Sequence, residues 1–412
     1  MTNPFLDTAW RIGAQLCREA IWDGDRCNWL GDSMELAFNQ WQVVHRSFGP
    51  DLYNGTAGIA LFLARLHRYR PDPLLETTAR AAVRQALSRT DDIPKENRPT
   101  FYGGWLGIAW ALRQLAELMP EPAWAAESDR LIDSQLGAEL DPYQIDVIGG
   151  IAGSLLVLLA IWRRTHRDAL LQEATRLGER LLARANLSEG TMSWTTMHPE
   201  SGFQHRDLTG FSHGTAGVAL ALLELAAVTQ RPEFRDAAYA GFRYERRWYS
   251  PQHQNWPDFR NDPRAPQPAS AEPSYSMAWC HGAPGIGLSR LRAYELTNDQ
   301  EILLEADAAI QGTYRPASVP NNADNYSLCH GLGGNAEIFI HAARLLKNPQ
   351  YKAIADYIGQ RAMQTAGASE PWPCGVAGGG ESPGLMMGLA GIGYFYLRLH
   401  DPDGVPSVLM IN

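Results

Sequence analysis

Cysteine is scarce in this chain, with five residues in 412: Cys17, Cys27, Cys280, Cys329 and Cys374. A sparse, odd-numbered set does not read as a disulfide framework and favours a reducing compartment. Long apolar runs are missing too. The longest, residues 147–162, holds three glycines, is too short to span a bilayer, and is followed by Arg163 and Arg164. The N-terminus, Met1-Thr2-Asn3-Pro4, lacks the basic and apolar pattern of a signal peptide, so a cytoplasmic location is expected. Nor is there a block of charge of one sign. The net charge is −9 with acidic and basic residues interspersed, which argues against a nucleic-acid footprint and is too ordinary to identify a partner. Strand signals are few, and residues 191–205 and 248–275 read as irregular insertions.

Glycine, by contrast, is abundant and in register. A Gly-x-x-Gly unit followed by about ten residues rich in Leu, Ala and Ile recurs with its leading glycine at 55, 104, 150, 214, 282, 331 and 388. Successive units lie 46 to 68 residues apart, enough for two helices and their loops. Between them lie amphipathic segments (74–87, 123–136, 170–185, 301–314 and 351–365) that read as half-exposed outer helices against buried, glycine-headed inner ones. Residues 5–20 have the same character and are expected to partner the first glycine unit. Length alone would suggest two or three domains, but seven helical pairs with repeat-like pattern at both ends predict an all-α fold, an α/α toroid forming one domain over residues 1–412. In such a ring the glycine turns converge at one end. For the units at 55, 104 and 388 the glycines need serve only packing between helices.

The other units carry chemistry. Counting from each leading glycine, position −2 holds Cys280 and Cys329, and position −1 holds His213, His281 and His330; Asp146 sits at −4 of the third unit. Two thiolates and an imidazole suit Zn²⁺ in tetrahedral coordination, and three protein ligands leave a fourth position open, as in catalytic sites. Residue types alone leave open whether His330 or His281 is the third ligand. Such a site is suited to activating a thiol, because coordination removes the proton from a group of ordinary pKa ~8.5. Cys374 reads as structural, and His198 and His205 as solvated loop residues.

Trp279-Cys280-His281-Gly282, Leu328-Cys329-His330-Gly331 and Ser212-His213-Gly214-Thr215-Ala216-Gly217 resemble the LanC-like lanthionine cyclases, over essentially the whole chain. Asn255-Trp256-Pro257-Asp258-Phe259-Arg260, the run 383–394 and Val405-Pro406-Ser407-Val408-Leu409 are similar to the cyclase half of LanM synthetases. The resemblance implies a seven-fold α/α toroid with one zinc on Cys280, Cys329 and His330. It makes His213 an acid/base and Asp146 a second catalytic group; His281, from its own position, is a further catalytic candidate, open between a helper acid, a group supporting the site and a packing residue. Some family members have Tyr after the first Cys and Arg four residues before it; this chain has His281 and Ser276 there. The implied reaction adds a peptide Cys thiolate to dehydroalanine or dehydrobutyrine, forming lanthionine or methyllanthionine. The implied partners are a dehydrated precursor peptide, leader plus core, and a dehydratase acting in trans, unless the sequence is one domain of a longer chain. Two other readings share these residues: glutathione addition to dehydrated residues, and a peptide-binding scaffold without catalysis. A zinc prenyltransferase fits less well, since that family's ligands are Asp, Cys and His.

Overall fold

The structure, a computed structural model, describes residues 3–37, 40–197, 206–260, 273–318, 324–366 and 371–411. His198 and His205 lie outside the described residues. Fourteen α-helices occur among them, beginning with α1 (Pro4–Glu19), α2 (Thr56–Tyr69), α3 (Pro73–Ser88), α4 (Trp105–Leu118), α5 (Pro122–Asp133), α6 (Ile151–Thr165) and α7 (Asp168–Ala183). The second half supplies α8 (Thr215–Thr229), α9 (Pro232–Trp248), α10 (Ala283–Thr297), α11 (Gln300–Ser318), α12 (Leu332–Leu345), α13 (Pro349–Thr365) and α14 (Leu389–His400). Even-numbered helices form an inner ring in which each packs on the next and α14 packs on α2; odd-numbered helices lie outside, so the α/α toroid closes.

The two sets start differently. Five of the seven outer helices, α1, α3, α5, α9 and α13, begin with Pro in the first turn, where a missing N–H costs nothing, and Asn3, Asp72 and Asn348 cap backbone N–H groups. Each inner helix instead starts at its leading glycine with no side-chain cap. The second glycine of every unit has a steric reason. A Cβ on Gly58, Gly107, Gly153, Gly217, Gly285, Gly334 or Gly391 would lie 1.8–2.2 Å from the carbonyl oxygen six residues earlier. The glycines therefore let each turn fold back on itself, in addition to the helix packing expected from the sequence.

That carbonyl belongs to position −3, which is apolar and buried in every unit: Leu52, Phe101, Val147, Phe211, Trp279, Leu328 and Leu385. At −2 the backbones join into a belt. Met386 N donates to Tyr53 O (2.7 Å), Tyr53 N to Tyr102 O (3.0 Å), Ser212 N to Cys280 O (3.2 Å), Cys280 N to Cys329 O (3.3 Å) and Cys329 N to Met386 O (2.9 Å). Val147 N donates to Ser212 O (3.0 Å) on the remaining side. Residues 405–411 run beneath this belt: Tyr102 Oη donates to Val408 O (2.8 Å) and Trp279 Nε1 to Leu409 O (3.3 Å), tying the second unit to the fifth.

Two expectations need correcting. The helix at Pro4–Glu19 packs chiefly on α14, not on the first glycine unit's α2, so the first outer helix fastens the last inner one and closes the ring. An amphipathic stripe requires a partner without naming it. The described residues also hold three antiparallel hairpins: β1 (Ile21–Asp23) with β2 (Arg26–Asn28), β3 (Leu30–Ala37) with β4 (Gln40–Ser47), and β5 (Asn186–Ser188) with β6 (Thr191–Ser193). The last of these places a strand at the start of the supposedly irregular segment 191–205. No helix among the described residues is long and apolar enough to cross a membrane.

Candidate metal centre

Adjacent units five and six bring Cys280 and Cys329 together at −2, and unit six adds His330 at −1. The two Sγ atoms and a ring nitrogen of His330 all lie within 4.8 Å of one another. That spacing suits an ion about 2.0–2.3 Å from each donor. His330 Nε2 lies 2.7 Å from the carbonyl oxygen of Gly375. A carbonyl only accepts, so Nε2 carries the proton and Nδ1 is left to face the sulfurs, which is the support a metal-binding imidazole ordinarily receives. A hydrogen bond from Cys280 holds the Cys329 thiol below its usual range, while the same contact, then burial, pushes Cys280 well up. The donor set, its spacing and its second layer fit a thiophilic divalent cation.

His281 occupies the same position as His330 but points elsewhere, because the two turns differ. Gly282 has φ +102°, a conformation that favours glycine, whereas Gly331 has φ −111°. The His281 ring turns inward, is only 2% exposed and stacks on His213 with centroids 5.4 Å apart and planes at 24°. Burial, then the guanidinium of Arg260, holds His281 well below the usual imidazole range, so it is neutral. Its Nδ1 lies 4.0 Å from Asp258 Oδ2.

His213 and Asp146 meet although 67 residues separate them: Nδ1 lies 2.6 Å from Oδ2. The other carboxylate oxygen of Asp146 accepts the backbone N–H of Gly149 at 2.8 Å, which fixes the carboxylate. His213 is 29% exposed, so its ring can meet a substrate that the buried His281 cannot.

Three residues beside the centre were missed in the sequence. Asp258 and Arg260, inside a motif noted only for its resemblance, form an ion pair of 2.6 Å. Burial works against the Asp258 charge, but the Arg260 hydrogen bond and neighbouring charges outweigh it and hold the carboxyl at about 2. Arg260 also bears electrostatically on both cysteines. The third is Tyr53, at −2 of a unit assigned only a packing role. Its hydroxyl faces Cys329 and donates to Met387 Sδ at 3.7 Å. Reading position −2 in every unit would have found it. Cys374 stands apart from the sulfur pair: its Sγ exchanges contacts with the Ser382 backbone, and burial pushes its thiol up to about 12.

The comparisons agree with this architecture. Residues 46–410 match the family model described as lanthionine synthetase C-like protein. A curated relative, the lacticin 481/lactococcin biosynthesis protein LcnDR2 of Lactococcus lactis subsp. lactis, is 24% identical over 405 residues, 91% of this chain but only 38% of that protein's length. Among solved structures, nisin cyclase superposes with a TM-score of 0.68 at 20% identity, covering 89% of this chain and 93% of its own. The Lin0763 protein from Listeria innocua follows with a TM-score of 0.51 at 11% identity, covering 84% and 98%. At such identities the superpositions speak for the fold alone. The match over residues 46–410 speaks for the family, and this chain belongs to the lanthionine synthetase C-like proteins.

Proposed function

We propose that this chain, as one domain over residues 1–412, is a zinc-dependent lanthipeptide cyclase. It adds the thiol of a peptide cysteine to a dehydroalanine or dehydrobutyrine of the same peptide. The observation that carries this reading is the group Cys280, Cys329 and His330 in one mouth with the Asp146–His213 pair, in a chain of this family. Zinc held by those three residues would supply the Lewis acidity that keeps a peptide thiol deprotonated near neutral pH.

The chain's own residues account for the rest. Sulfur attacks the β-carbon, the C–S bond forms, the carbon–carbon π bond breaks, and its electron pair moves onto the neighbouring amide as an enolate. His213 is the exposed acid that gives a proton to the α-carbon, and it recovers one from solvent or from the thiol of the next substrate. Asp146 holds the His213 ring through Nδ1, leaving Nε2 to act. His281, neutral and stacked behind His213, backs the ring without adding a competing charge. Arg260 brings positive charge to a site where negative charge develops. The substrate would reach the site already dehydrated, by a dehydratase acting in trans or by another domain if the sequence is part of a longer chain.

Zinc content per chain, measured by metal analysis for wild type, Cys280→Ala and Cys329→Ala, is the first test. About one zinc in wild type, lost in both variants, together with loss of free thiol from a dehydrated, Cys-containing peptide, is the expected result. A folded wild-type protein prepared without chelator that binds no zinc would end this reading in favour of a peptide-binding scaffold.

A further inference from the structure

The metal centre and the Asp146–His213 pair occupy units three to six of the ring, and the opposite side of the mouth is not flat. A cavity of about 380 Å³ opens there, lined by Tyr53, Asn54, Tyr102 and Gly103 from the first two units and by Ser33 and Arg46 from the β3–β4 hairpin. That volume lies within the range of roughly 300–1,000 Å³ typical of ligand sites. The hairpin register explains its lining. Gly31 pairs with Arg46 and Ser33 with Val44, so Gly31, Ser33, Val44 and Arg46 share one face. The bare face of Gly31 packs against Phe48 and Pro383, which brings Ser33 and Arg46 over the mouth. The hairpin has only two strands, so among the described residues no further strand pairs with it.

Tyr53 connects the two sides. Its ring lines the cavity while its hydroxyl faces Cys329 and Met387, so Tyr53 stands between the cavity and the sulfurs. The walls combine apolar and aromatic surface, from Phe48, Ile148, Tyr53 and Tyr102, with hydroxyl, amide and guanidinium groups suited to the amides of an extended peptide. Gly103 leaves the floor open: a Cβ there would meet nothing within 4 Å.

We propose that this cavity seats the segment of the peptide that bears the dehydroamino acid, holding the electrophile on the hairpin side while the thiol lies at the metal side. The proposal rests on the cyclase reading and divides the mouth into an acceptor half and a thiol half. It also gives function to two glycine units whose sequence suggested packing alone.

The test uses a short peptide carrying one dehydroalanine and one cysteine, and an unreactive analogue with serine in place of that cysteine. Binding of the analogue is followed by fluorescence anisotropy, and cyclisation of the reactive peptide by loss of free thiol. Gly103→Trp fills the cavity from the floor and Ser33→Trp from the hairpin, and thermal melting checks that each folds. Both variants should weaken analogue binding about tenfold or more and raise KM by a similar factor, with kcat near wild type; Cys280→Ala should bind the analogue as wild type does. Folded variants that bind and turn over like wild type would overturn the acceptor cavity and leave the cyclase reading standing. Loss of binding in both variants, from a wild-type protein that holds zinc yet closes no ring, would keep the cavity and remove the cyclase reading.

Discussion

The Nε2 of His330 lies 2.7 Å from the carbonyl oxygen of Gly375, a residue 45 positions further along the chain. This contact fixes both the tautomer and the orientation of the third metal-facing side chain. A Cβ on Gly375 would fall 2.7 Å from Ser327 Oγ and 3.0 Å from His330 Nε2, so even alanine must move the imidazole. Gly375→Ala should therefore lower zinc affinity by roughly 10- to 100-fold, the usual effect of losing such support. Competition with a chromogenic chelator measures it, and an unchanged affinity would show that Gly375 does not position the ligand.

The pair of His213 and Asp146 predicts a separation of roles. His213→Asn should reduce the rate of ring closure by about 100-fold or more, as expected for loss of a general acid, with zinc content retained. Asp146→Asn keeps an oxygen for the Gly149 N–H but no longer holds the imidazole as a carboxylate does. It should reduce kcat less than His213→Asn and move the pH profile of the rate while leaving KM close to wild type. Identical pH profiles for wild type and Asp146→Asn would leave Asp146 a purely structural turn residue.

Much of this molecule is legible in the sequence because its repeats are imposed by backbone geometry. A carbonyl too close to the second glycine of each unit forbids a side chain there, so the spacing of glycines reports seven turns directly. The same register aligns Cys280 with Cys329 and exposes the sulfur pair. It could not rank His281 against His330, since equal positions point differently when Gly282 has positive φ and Gly331 does not. Tyr53 was hidden for another reason. A tyrosine before a glycine turn suggests core packing, and only the curvature of the ring brings its hydroxyl to Cys329, on the far side of Met386 in the belt. The docking of α1 on α14 joins the two ends of the chain, a relation that local periodicity cannot express.

Glu245 supports the His213 turn from the outer helix α9. Its carboxyl accepts the N–H groups of Gly210 (3.2 Å) and Ala216 (2.8 Å), on either side of His213. Burial pushes this carboxyl up from its ordinary 4.5 to about 8. In that window the folded protein keeps a proton that the unfolded chain releases. The stability contribution is thus complete below pH ~4.5, falls by roughly 1.4 kcal/mol per pH unit as pH rises, and is lost above pH ~8. Glu245→Gln keeps an accepting oxygen and has no proton to lose, so its melting temperature should decline less than that of wild type between pH 5.5 and pH 8. Parallel curves for the two proteins would mean that Glu245 is not the group responsible.

The steric account of the repeats can be tested within a single turn. Gly103 and Gly107 flank the start of α4, and both are glycine in a helix-entering turn. A Cβ on Gly107 would lie 1.8 Å from Phe101 O and 3.2 Å from Leu52 Cβ, whereas one on Gly103 would meet nothing within 4 Å. Gly107→Ala must push apart the turn and the belt beneath it, and should cost at least about 1–3 kcal/mol, as overpacking does. Gly103→Ala should stay within about 0.5 kcal/mol of wild type. Denaturant unfolding of the two variants side by side measures the difference. If Gly107→Ala unfolds at the wild-type midpoint, the close carbonyl does not constrain the turn, and the recurring glycines would owe their place to helix packing alone.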